Sequence, residues 1–443
     1  MSKIVKLVQT LRNNWKKSVF GAVALTYGVN YGINKYNTEQ LMIAYCQEAV
    51  KFGHEPAGPR LRHVLVILNP TANRRKAKKN FEKFCAPLLH LAGISVDIIQ
   101  TEFEGQARSL AEKVEDSVDG VIVAGGDGTL SETITGMLRK AELGGGRRIP
   151  VGVLPLGRTN TVANSLFGNS ESNEVKMMAE AAMAVVKELT KPLDVMKIEV
   201  LETEDDKPGK PVFSLGSIEW GAYRDAHARR DKYWYWDGLR SYVSYIFTGL
   251  KGEDSGICWQ CKADLAYSMP CAGCSKCYNA LQERVPKESK TTRWWQAFIR
   301  RPQQIDARDL NIMKVDYTKV VNDSCGDIHE EEISCVDLSL NTANVQPNCR
   351  KEGVPHIEIC MGPPTVGYFE FVSEGWKREK RKEPTVVKKI QAQELKLVPK
   401  MGEKKPEGGE RWISIDSEDY EVKPIHVKLL PRKVDVFCRP ENL

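Results

Sequence analysis

The run from Val121 to Leu130, VIVAGGDGTL, constrains the fold of this chain more than any other stretch. It begins with four apolar residues, mostly β-branched, which is typical of a strand buried on both faces. Two glycines, an aspartate, a third glycine and a threonine follow, so the backbone there carries few side chains. A glycine turn between a buried strand and a helix is where open α/β sheets bind ligands. The N–H groups at the start of the next helix favour an anion.

Strand and helix patterns alternate on both sides of this run. Strands are predicted at 62–68, 94–99, 120–124 and 149–154, and helices at 74–91, 106–114, 130–139 and 159–167. Strands that are apolar on both faces and alternate with helices indicate a parallel sheet covered on both sides. We therefore predict an α/β fold class, with a three-layer nucleotide-binding domain at residues 60–190.

After this domain, the sequence pattern changes to short β-like runs separated by turn residues. These runs are 195–201, 212–218, 333–340, 356–361, 412–415 and 425–430. They predict a β-rich, antiparallel, sandwich-like second domain at residues 191–443. Within it, residues 252–307 read as a cysteine-rich insertion, and residues 377–409 as a charged mobile loop or linker. A length of 443 residues agrees with two domains.

The first 59 residues form a separate cationic segment, in which six basic residues precede the first acid, Glu39. Residues 18–33 are weakly apolar, and as a helix they would rise ~24 Å, less than the ~30 Å hydrocarbon core. The segment is compatible with a membrane anchor, a mitochondrial targeting segment, a secretory signal or a buried helix. We favour a membrane-associated helix addressed to mitochondria, at the inner membrane or intermembrane space. The net charge of +6 arises from 64 basic and 58 acidic residues, a mixed surface that indicates no nucleic-acid partner.

Asp127 is the informative residue of the glycine loop. A carboxylate beside phosphates is repelled unless a metal or a proton transfer accounts for it, and the alternative is an aspartate that caps a helix. Two further strand ends carry turn chemistry, Asn69-Pro70 and the stretch 151–160, VGVLPLGRTN. Because these ends would meet at one edge of the sheet, we predict a nucleotide site there. Neither G-x-x-x-x-G-K-[ST] nor G-x-G-x-x-G occurs in the sequence, so the common phosphate fingerprints are excluded.

Five segments in a fixed order resemble the diacylglycerol kinase catalytic-domain superfamily, which includes sphingosine kinases and bacterial lipid kinases. They are Asn69-Pro70, the G-G-D-G-T loop, Pro155-Leu-Gly157, Trp220 to Asp225 followed by Lys232 to Tyr235, and Ile415-Asp-Ser-Glu418. Within the superfamily the chain resembles the mitochondrial acylglycerol kinases. The resemblance implies two domains with ATP in the cleft between them, and γ-phosphate transfer to the hydroxyl of a monoacylglycerol or diacylglycerol.

The same resemblance implies roles for individual residues. The implied ATP-binding residues are Asn69, Gly125, Gly126, Gly128, Thr129, Gly157, Arg158, Thr159 and Asn160. Asp127 would be the catalytic base, Asp416 and Glu418 would bind Mg²⁺ or assist catalysis, and Asp225 would contact the substrate. The chain departs from the superfamily at Ser417, where Asp-Gly-Glu is usual, and at Arg158-Thr159, where Gly-Thr-Gly-Asn is usual. Ordinary surface charge is the alternative interpretation of Asp416 and Glu418.

Cysteines and aromatic residues add two further expectations. Cys258, Cys261, Cys271, Cys274 and Cys277 lie within twenty residues, a spacing that suits a structural Zn²⁺ as well as free or disulfide-bonded thiols. Tyr233 to Trp236 and Trp294-Trp295 lie among basic residues, a combination that favours contact with a membrane surface. Packing within the β-rich domain is the alternative for the first group.

Three functions compete at this point. The first is a membrane-associated acylglycerol kinase, with sphingosine or ceramide as less favoured acceptors. The second is an NAD kinase, which shares the G-G-D-G-T loop, although the second G-S-T-containing loop of that family is absent. The third is a scaffold in inner-membrane protein import, with the carrier translocase as partner, which the resemblance to mitochondrial acylglycerol kinases implies.

Overall fold

The computed structural model describes residues 12–54, 61–144, 147–168, 173–201, 209–252, 258–277, 319–345, 354–380, 383–400 and 411–440. The chain separates into two compact units, residues 1–193 with 434–443, and residues 194–433. The tryptophan pair at 294–295 lies outside the described residues.

The helices and strands follow the sequence patterns closely in the first unit and less closely in the second. The main α-helices are α1 Trp15–His54, α2 Ala86–Leu91, α3 Gln106–Glu112, α4 Asp127–Glu142, α5 Thr161–Phe167, α6 Glu174–Lys187, α7 Ala222–Ala228, α8 Arg240–Lys251 and α9 Tyr368–Glu379. Shorter or irregular helical segments lie at Ala72–Arg75, Ala77–Asn80, Phe81–Cys85, Arg229–Leu239 and Ala343–Val345. The strands are β1 His63–Leu68, β2 Ser95–Gln100, β3 Gly120–Gly125, β4 Val151–Pro155, β5 Thr190–Val200, β6 Val212–Ser214, β7 Ser217–Gly221, β8 Cys261–Ser268, β9 Ile328–Cys335, β10 Asp337–Thr342, β11 Ile357–Met361, β12 Lys388–Ala392, β13 Glu394–Pro399, β14 Trp412–Ile415, β15 Glu418–Glu421 and β16 Ile425–Phe437.

The first unit is built on a parallel sheet with strand order β2-β1-β3-β4. Strands β3 and β4 are buried along their whole length, as their continuous apolar sequences predict. The two faces of β3 are covered by different helices. Val121 packs in a cluster with Ala107 and Ala111 of α3. Val185 of α6 approaches the opposite face, at Gly152 beside Ile122. This is a three-layer α/β unit.

The second unit is a sandwich of antiparallel strands. One sheet has the order β12-β11-β10-β7-β14-β15. Against it lie β9, β8 and β13, followed by the part of β16 that belongs to this unit. Alternate residues of both layers face one core that includes Trp220, Leu265, Leu340 and Leu397. The fold class predicted from the sequence is thereby confirmed.

Two segments of the second unit differ from the sequence expectation. Residues 261–268, assigned to an insertion, form β8, which pairs with both β9 and β13. Residues 388–392 and 394–399, assigned to a mobile loop, form β12 and β13. In β13 the alternation Leu395, Lys396, Leu397 places both leucines in the core with 1% exposure. Lys396 between them is exposed on the outer face, so a high charge content hid an ordinary half-buried strand.

Helix α1 is a single 40-residue helix whose two halves differ. Its C-terminal half packs on the first unit, where Ala49 is fully buried and Glu48 lies 2.7 Å from Lys187 Nζ. The other half exposes large apolar side chains on all sides, including Phe20, Tyr27 and Tyr31. Within the part of the chain that the structure describes, no helix combines the length and the apolarity needed to span a bilayer.

Candidate functional site

Two glycine loops meet by backbone contact at the carboxyl ends of β3 and β4. A Cβ atom at Gly157 would lie 2.2 Å from the Cα of Gly126, and one at Gly126 would lie 3.0 Å from the carbonyl oxygen of Thr159. The N–H of Leu156 donates to the carbonyl of Gly125 at 3.2 Å, and the N–H of Asp127 donates to the carbonyl of Thr159 at 3.1 Å. Only glycine allows this approach, so the two loops form one rigid structure.

The second loop is held by its own asparagine. The Asn160 side-chain oxygen accepts the N–H of Gly157 at 3.0 Å, and its amide nitrogen donates to the Gly157 carbonyl at 3.0 Å. This closes a four-residue ring of backbone and leaves Arg158 exposed at its tip. The departure from the superfamily pattern at Arg158 therefore changes an outward-facing side chain and does not obstruct the contact between the loops.

Asn69 joins the end of β1 to the glycine loop. Its backbone N–H donates to the carbonyl of Ala124 at 3.0 Å, and its Nδ2 donates to Thr129 Oγ1 at 3.1 Å. Its Oδ1 accepts the N–H and the hydroxyl of Thr71. The ends of β1, β3 and β4 thus converge, as expected for parallel strands. Within the first unit the structure brings together the nucleotide residues expected from the sequence.

Asp127 is buried at the start of α4, with 5% of its surface exposed. Both carboxylate oxygens accept the backbone N–H of Thr161, each at 2.8 Å. Burial raises the pKa of this carboxyl group, and hydrogen bonds from Thr161 and Val162 oppose that rise. The side chain therefore caps α5, a helix that begins 34 residues later in the chain. This geometry favours a role in positioning the second loop over the base role implied by the resemblance.

A basic loop follows Asn69, where the sequence predicts that a regular helix begins at residue 74. Asn73, Arg74 and Arg75 have φ angles of 50°, 56° and 65°, the left-handed region that such residues rarely adopt in succession. Strained backbone of this kind concentrates at functional sites. Non-glycine residues with positive φ have no sequence signature, and only the density of arginine and lysine between residues 74 and 79 could have drawn attention to this loop.

Asp416 lies in a tight hairpin turn of the second unit, between β14 and β15. Asp416 and Ser417 both have positive φ, 48° and 69°, as in the two-residue turns that favour glycine. The Asp416 carboxylate, 7% exposed, accepts the N–H groups of Leu215, Gly216 and Ser217 at 2.9 to 3.0 Å. Three backbone donors hold it in place, so Asp416 fixes the hairpin to the chain before β7.

Glu418 begins β15, directly after this turn. Its side chain is half-buried, and Tyr420 donates its hydroxyl to Glu418 Oε2 at 3.0 Å. The two acids expected to act as a pair therefore have different surroundings. Asp416 is enclosed by backbone, and Glu418 is the more accessible carboxylate.

Asp225 is committed to contacts within the second unit. Its Oδ1 accepts from Arg224 at 2.8 Å, and its Oδ2 accepts the N–H of Cys258 at 2.9 Å. Arg224 is itself buried and also pairs with Asp419 of β15. Asp225 therefore links α7 to the residues before β8.

The cysteines form two groups in the structure, whereas the sequence predicts one cluster. Cys258 and Cys261 lie in the sandwich core with their sulfur atoms 3.8 Å apart. Cys271, Cys274 and Cys277 gather with Cys325, a residue that the sequence analysis left out. All cysteines in the described stretches are free thiols.

The aromatic group after α7 is largely exposed. Trp234, Tyr235 and Trp236 expose 74%, 61% and 45% of their surfaces, whereas Tyr233 stacks on Phe247 of α8. Three of the four rings are therefore not packed in the β-rich core.

Comparisons with known proteins agree with this architecture. Residues 63–198 match the family described as the diacylglycerol kinase catalytic domain, and residues 215–443 match the acylglycerol kinase C-terminal family. The mitochondrial acylglycerol kinases of Mus musculus and Homo sapiens are each 34% identical, with 98% of this chain and 96% of each relative covered. Human ceramide kinase is 27% identical, over 52% of this chain and 44% of the relative.

A solved structure of a candidate diacylglycerol kinase from Bacillus anthracis has a TM-score of 0.51 and 16% identity. It covers 87% of this chain and 100% of the bacterial one, a likeness that concerns the fold alone.

The match of the three-layer α/β unit to the diacylglycerol kinase catalytic domain, together with the full-length relatives, identifies a lipid kinase of the diacylglycerol kinase class. The chain belongs to the acylglycerol kinase family. Membership implies ATP as the phosphate donor and a lipid as the acceptor, and the names of the relatives support a mitochondrial location.

Proposed function

We propose that the chain transfers the γ-phosphate of ATP to the free hydroxyl of monoacylglycerol and diacylglycerol, giving lysophosphatidic acid and phosphatidic acid. The observation that supports this most is the backbone contact between Gly126 and Gly157, which creates a side-chain-free surface at the carboxyl ends of parallel strands. A triphosphate needs such a surface because main-chain N–H groups must approach its oxygens closely. The acceptor class follows from the names of the full-length relatives.

In this proposal the first unit binds the nucleotide. Gly125, Gly126, Gly128 and Thr129 cradle the phosphates together with the loop from Gly157 to Asn160. Asn69 orients Thr129 through the hydrogen bond between their side chains. Arg158 and the basic loop at Arg74 and Arg75 supply positive charge toward the phosphate oxygens.

Asp127 acts as a positioning residue in this scheme. Its carboxylate fixes the N–H of Thr161 and thereby holds the second loop against the first. Because the Asp127 carboxylate is buried and engaged with the second loop, we infer that another group takes the proton of the lipid hydroxyl. We assign that role to Glu418, and we assign to Asp416 the task of holding the hairpin that presents Glu418.

The reaction itself is a single displacement. The acceptor hydroxyl oxygen forms a bond to the γ-phosphorus, the bond to the β–γ bridging oxygen breaks, and ADP leaves. The hydroxyl proton passes to the Glu418 carboxylate. Bound with ATP, Mg²⁺ would neutralise the phosphate charge, and Glu418 is the accessible carboxylate that would hold it, since three backbone N–H groups already enclose Asp416. This chain otherwise contributes position and charge, which provide most of the catalysis in phosphoryl transfer.

The lipid acceptor places the enzyme at a membrane surface. The exposed rings of Trp234, Tyr235 and Trp236 lie beside basic residues, and such rings favour the interfacial zone of a bilayer. The exposed apolar half of α1 is a second membrane contact. Asp225, which the resemblance assigned to the substrate, instead stabilises the start of this region through Arg224 and Cys258.

The mitochondrial inner membrane, facing the intermembrane space, is the proposed site of action. A kinase-independent scaffold in carrier import is the alternative role, and the exposed half of α1 is the feature that would serve it. An import assay with the Glu418→Gln variant separates the two, because a scaffold would tolerate loss of the proton acceptor.

A lipid-acceptor panel tests the proposal. The full chain is incubated with labelled ATP, Mg²⁺ and vesicles containing monoacylglycerol, diacylglycerol, ceramide or sphingosine, with NAD as a soluble acceptor. Labelled lysophosphatidic and phosphatidic acid are the expected products. Labelling confined to ceramide, sphingosine or NAD would refute the assigned acceptor.

A further inference from the structure

Four cysteine thiols converge at the base of the connection between β8 and β9. The sulfur atoms of Cys271, Cys274, Cys277 and Cys325 all lie within 4.8 Å of one another. Cys271 follows the last residue of β8 by three positions, and Cys325 precedes the first residue of β9 by the same number. The four thiols therefore join the outgoing and returning ends of one long connection.

The spacing of the sulfur atoms suits a tetrahedral metal ion. Zinc bound to four thiolates at about 2.3 Å separates the sulfur atoms by about 3.8 Å. The shortest sulfur–sulfur distance given by the structure, 3.0 Å between Cys277 and Cys325, and the 4.8 Å limit of the group lie on either side of that value. A disulfide would require about 2.05 Å and would leave the other two thiols unused.

A hydrogen bond to sulfur further distinguishes this group. Asn322 Nδ2 donates to the Cys271 sulfur at 3.4 Å. Donors to sulfur stabilise thiolates, and partners of this kind commonly orient metal ligands.

The two strand ends are also tied together by their backbones. The N–H of Ser275 donates to the carbonyl of Val320 at 2.9 Å, and Lys276 Nζ donates to the carbonyl of Asp323 at 2.7 Å. The Cys325 N–H closes a turn onto the Asn322 carbonyl at 3.3 Å. Both ligand-bearing turns are thus preformed, which lowers the entropic cost of metal binding.

Thiolates this close together repel one another. A divalent cation removes this repulsion, since it favours the ionised form of every ligand and releases their protons to solvent.

We propose that Cys271, Cys274, Cys277 and Cys325 bind one Zn²⁺ ion that clamps the connection between β8 and β9. Four protein ligands complete the tetrahedral shell, so the site is structural and leaves no position open for a substrate. The ion would stabilise the folded protein. By closing the long connection at its base, it removes conformational freedom from the unfolded chain. Cys258 and Cys261 do not take part, although they form another C-x-x-C pair.

Metal content of the full chain, purified without chelators, tests the site. Mass spectrometry of the metals is expected to find one zinc per chain in the wild type and none in the Cys277→Ser/Cys325→Ser variant. The matched control is Cys258→Ala/Cys261→Ala, which removes a C-x-x-C pair from the core and is expected to keep one zinc. Absence of zinc from the wild type, or equal loss in the control, overturns the proposal.

A measurement on the wild type alone guards against misfolding of the variant. Alkylation followed by peptide mapping is expected to show Cys271, Cys274, Cys277 and Cys325 protected until a chelator is added, with all four then reacting together. Equal alkylation with and without chelator contradicts the site. A disulfide between Cys277 and Cys325, found in chain purified without reductant, contradicts it as well.

Discussion

The carboxylate of Asp127 accepts the backbone N–H of Thr161 with both oxygens at 2.8 Å, and this contact connects the two glycine loops of the first unit. The aspartate belongs to the first loop and the threonine follows the second. A single buried side chain thereby sets the spacing of the two loops to which we assign the binding of one triphosphate.

Substitution of Asp127 separates positioning from proton transfer. In Asp127→Asn one oxygen still accepts the Thr161 N–H, so we expect a folded protein with a melting temperature near that of the wild type. Its ATP dissociation constant should rise about tenfold, with a similar fall in kcat/KM. Asp127→Ala removes the cap, and we expect a further loss of about 0.5–2 kcal/mol in stability.

Calorimetry measures the ATP dissociation constant, thermal melts measure the melting temperature, and steady-state kinetics measure kcat/KM. An Asp127→Asn variant that binds ATP normally but loses a factor of ~10² to 10⁴ in kcat would show Asp127 to be the base after all.

Ser417 is predicted to be a source of strain. An L-residue in the left-handed region is disfavoured by about 1–2 kcal/mol, and glycine is not. Ser417→Gly should therefore raise the free energy of unfolding of the second unit by about 1 kcal/mol and leave kinase activity intact. Ser417→Val should lower it, because a β-branched residue tolerates positive φ poorly. Denaturant titrations of the three proteins that gave equal midpoints would contradict this interpretation of the turn.

Glu418 is predicted to be the proton acceptor. Glu418→Gln keeps the shape of the side chain and removes its basicity, so kcat should fall by about 10²- to 10⁴-fold with ATP affinity little changed. The control is Glu421→Gln, an exposed glutamate on the same strand, which should behave as wild type. Transfer of radiolabelled phosphate to diacylglycerol in vesicles measures the activity of both variants. Near-normal turnover in Glu418→Gln would show that a group other than Glu418 accepts the proton.

Trp234 is predicted to contact the membrane. Trp234→Ala should weaken binding to vesicles with anionic headgroups by about 1–2 kcal/mol, roughly five- to thirtyfold. Phe103→Ala, which removes a ring that is 65% exposed on the first unit, should leave vesicle binding unchanged. Vesicle sedimentation at fixed salt compares the two. Equal binding of Trp234→Ala and wild type to vesicles would contradict the predicted membrane contact of Trp234.

The parallel half of the fold was predictable from the sequence because buried strands and amphipathic helices have different periods. β1, β3 and β4 fall within a residue or two of the expected bounds. The second unit was harder, since β12 and β13 alternate apolar with charged residues and resemble a solvated loop when only charge is considered. Helix α7, which follows directly on β7, and helix α8, which begins after residues 229–239, were also not predicted.

The candidate site, like the fold, was only partly predictable from the sequence. The glycine loops and the acidic motif were visible as local sequence. What each carboxylate contacts was not, because Thr161 lies 34 residues from Asp127, and Gly216 lies 200 residues from Asp416. Cys325 was missed for the same reason, since it lies 48 residues from Cys277 and no spacing rule joins them.

Transfer of labelled phosphate from ATP to diacylglycerol by the Gly157→Ala variant tests the central claim most directly. The added methyl group would overlap the Cα of Gly126 at 2.2 Å and must push the loops apart, whereas Gly209→Ala, with no atom within 4 Å, is the matched control. We expect the wild type and Gly209→Ala to be equally active, and Gly157→Ala to lose about 10²-fold or more, since a displacement of about 1 Å can do so. Full activity in a folded Gly157→Ala protein would show that the docked glycine loops do not bind the triphosphate.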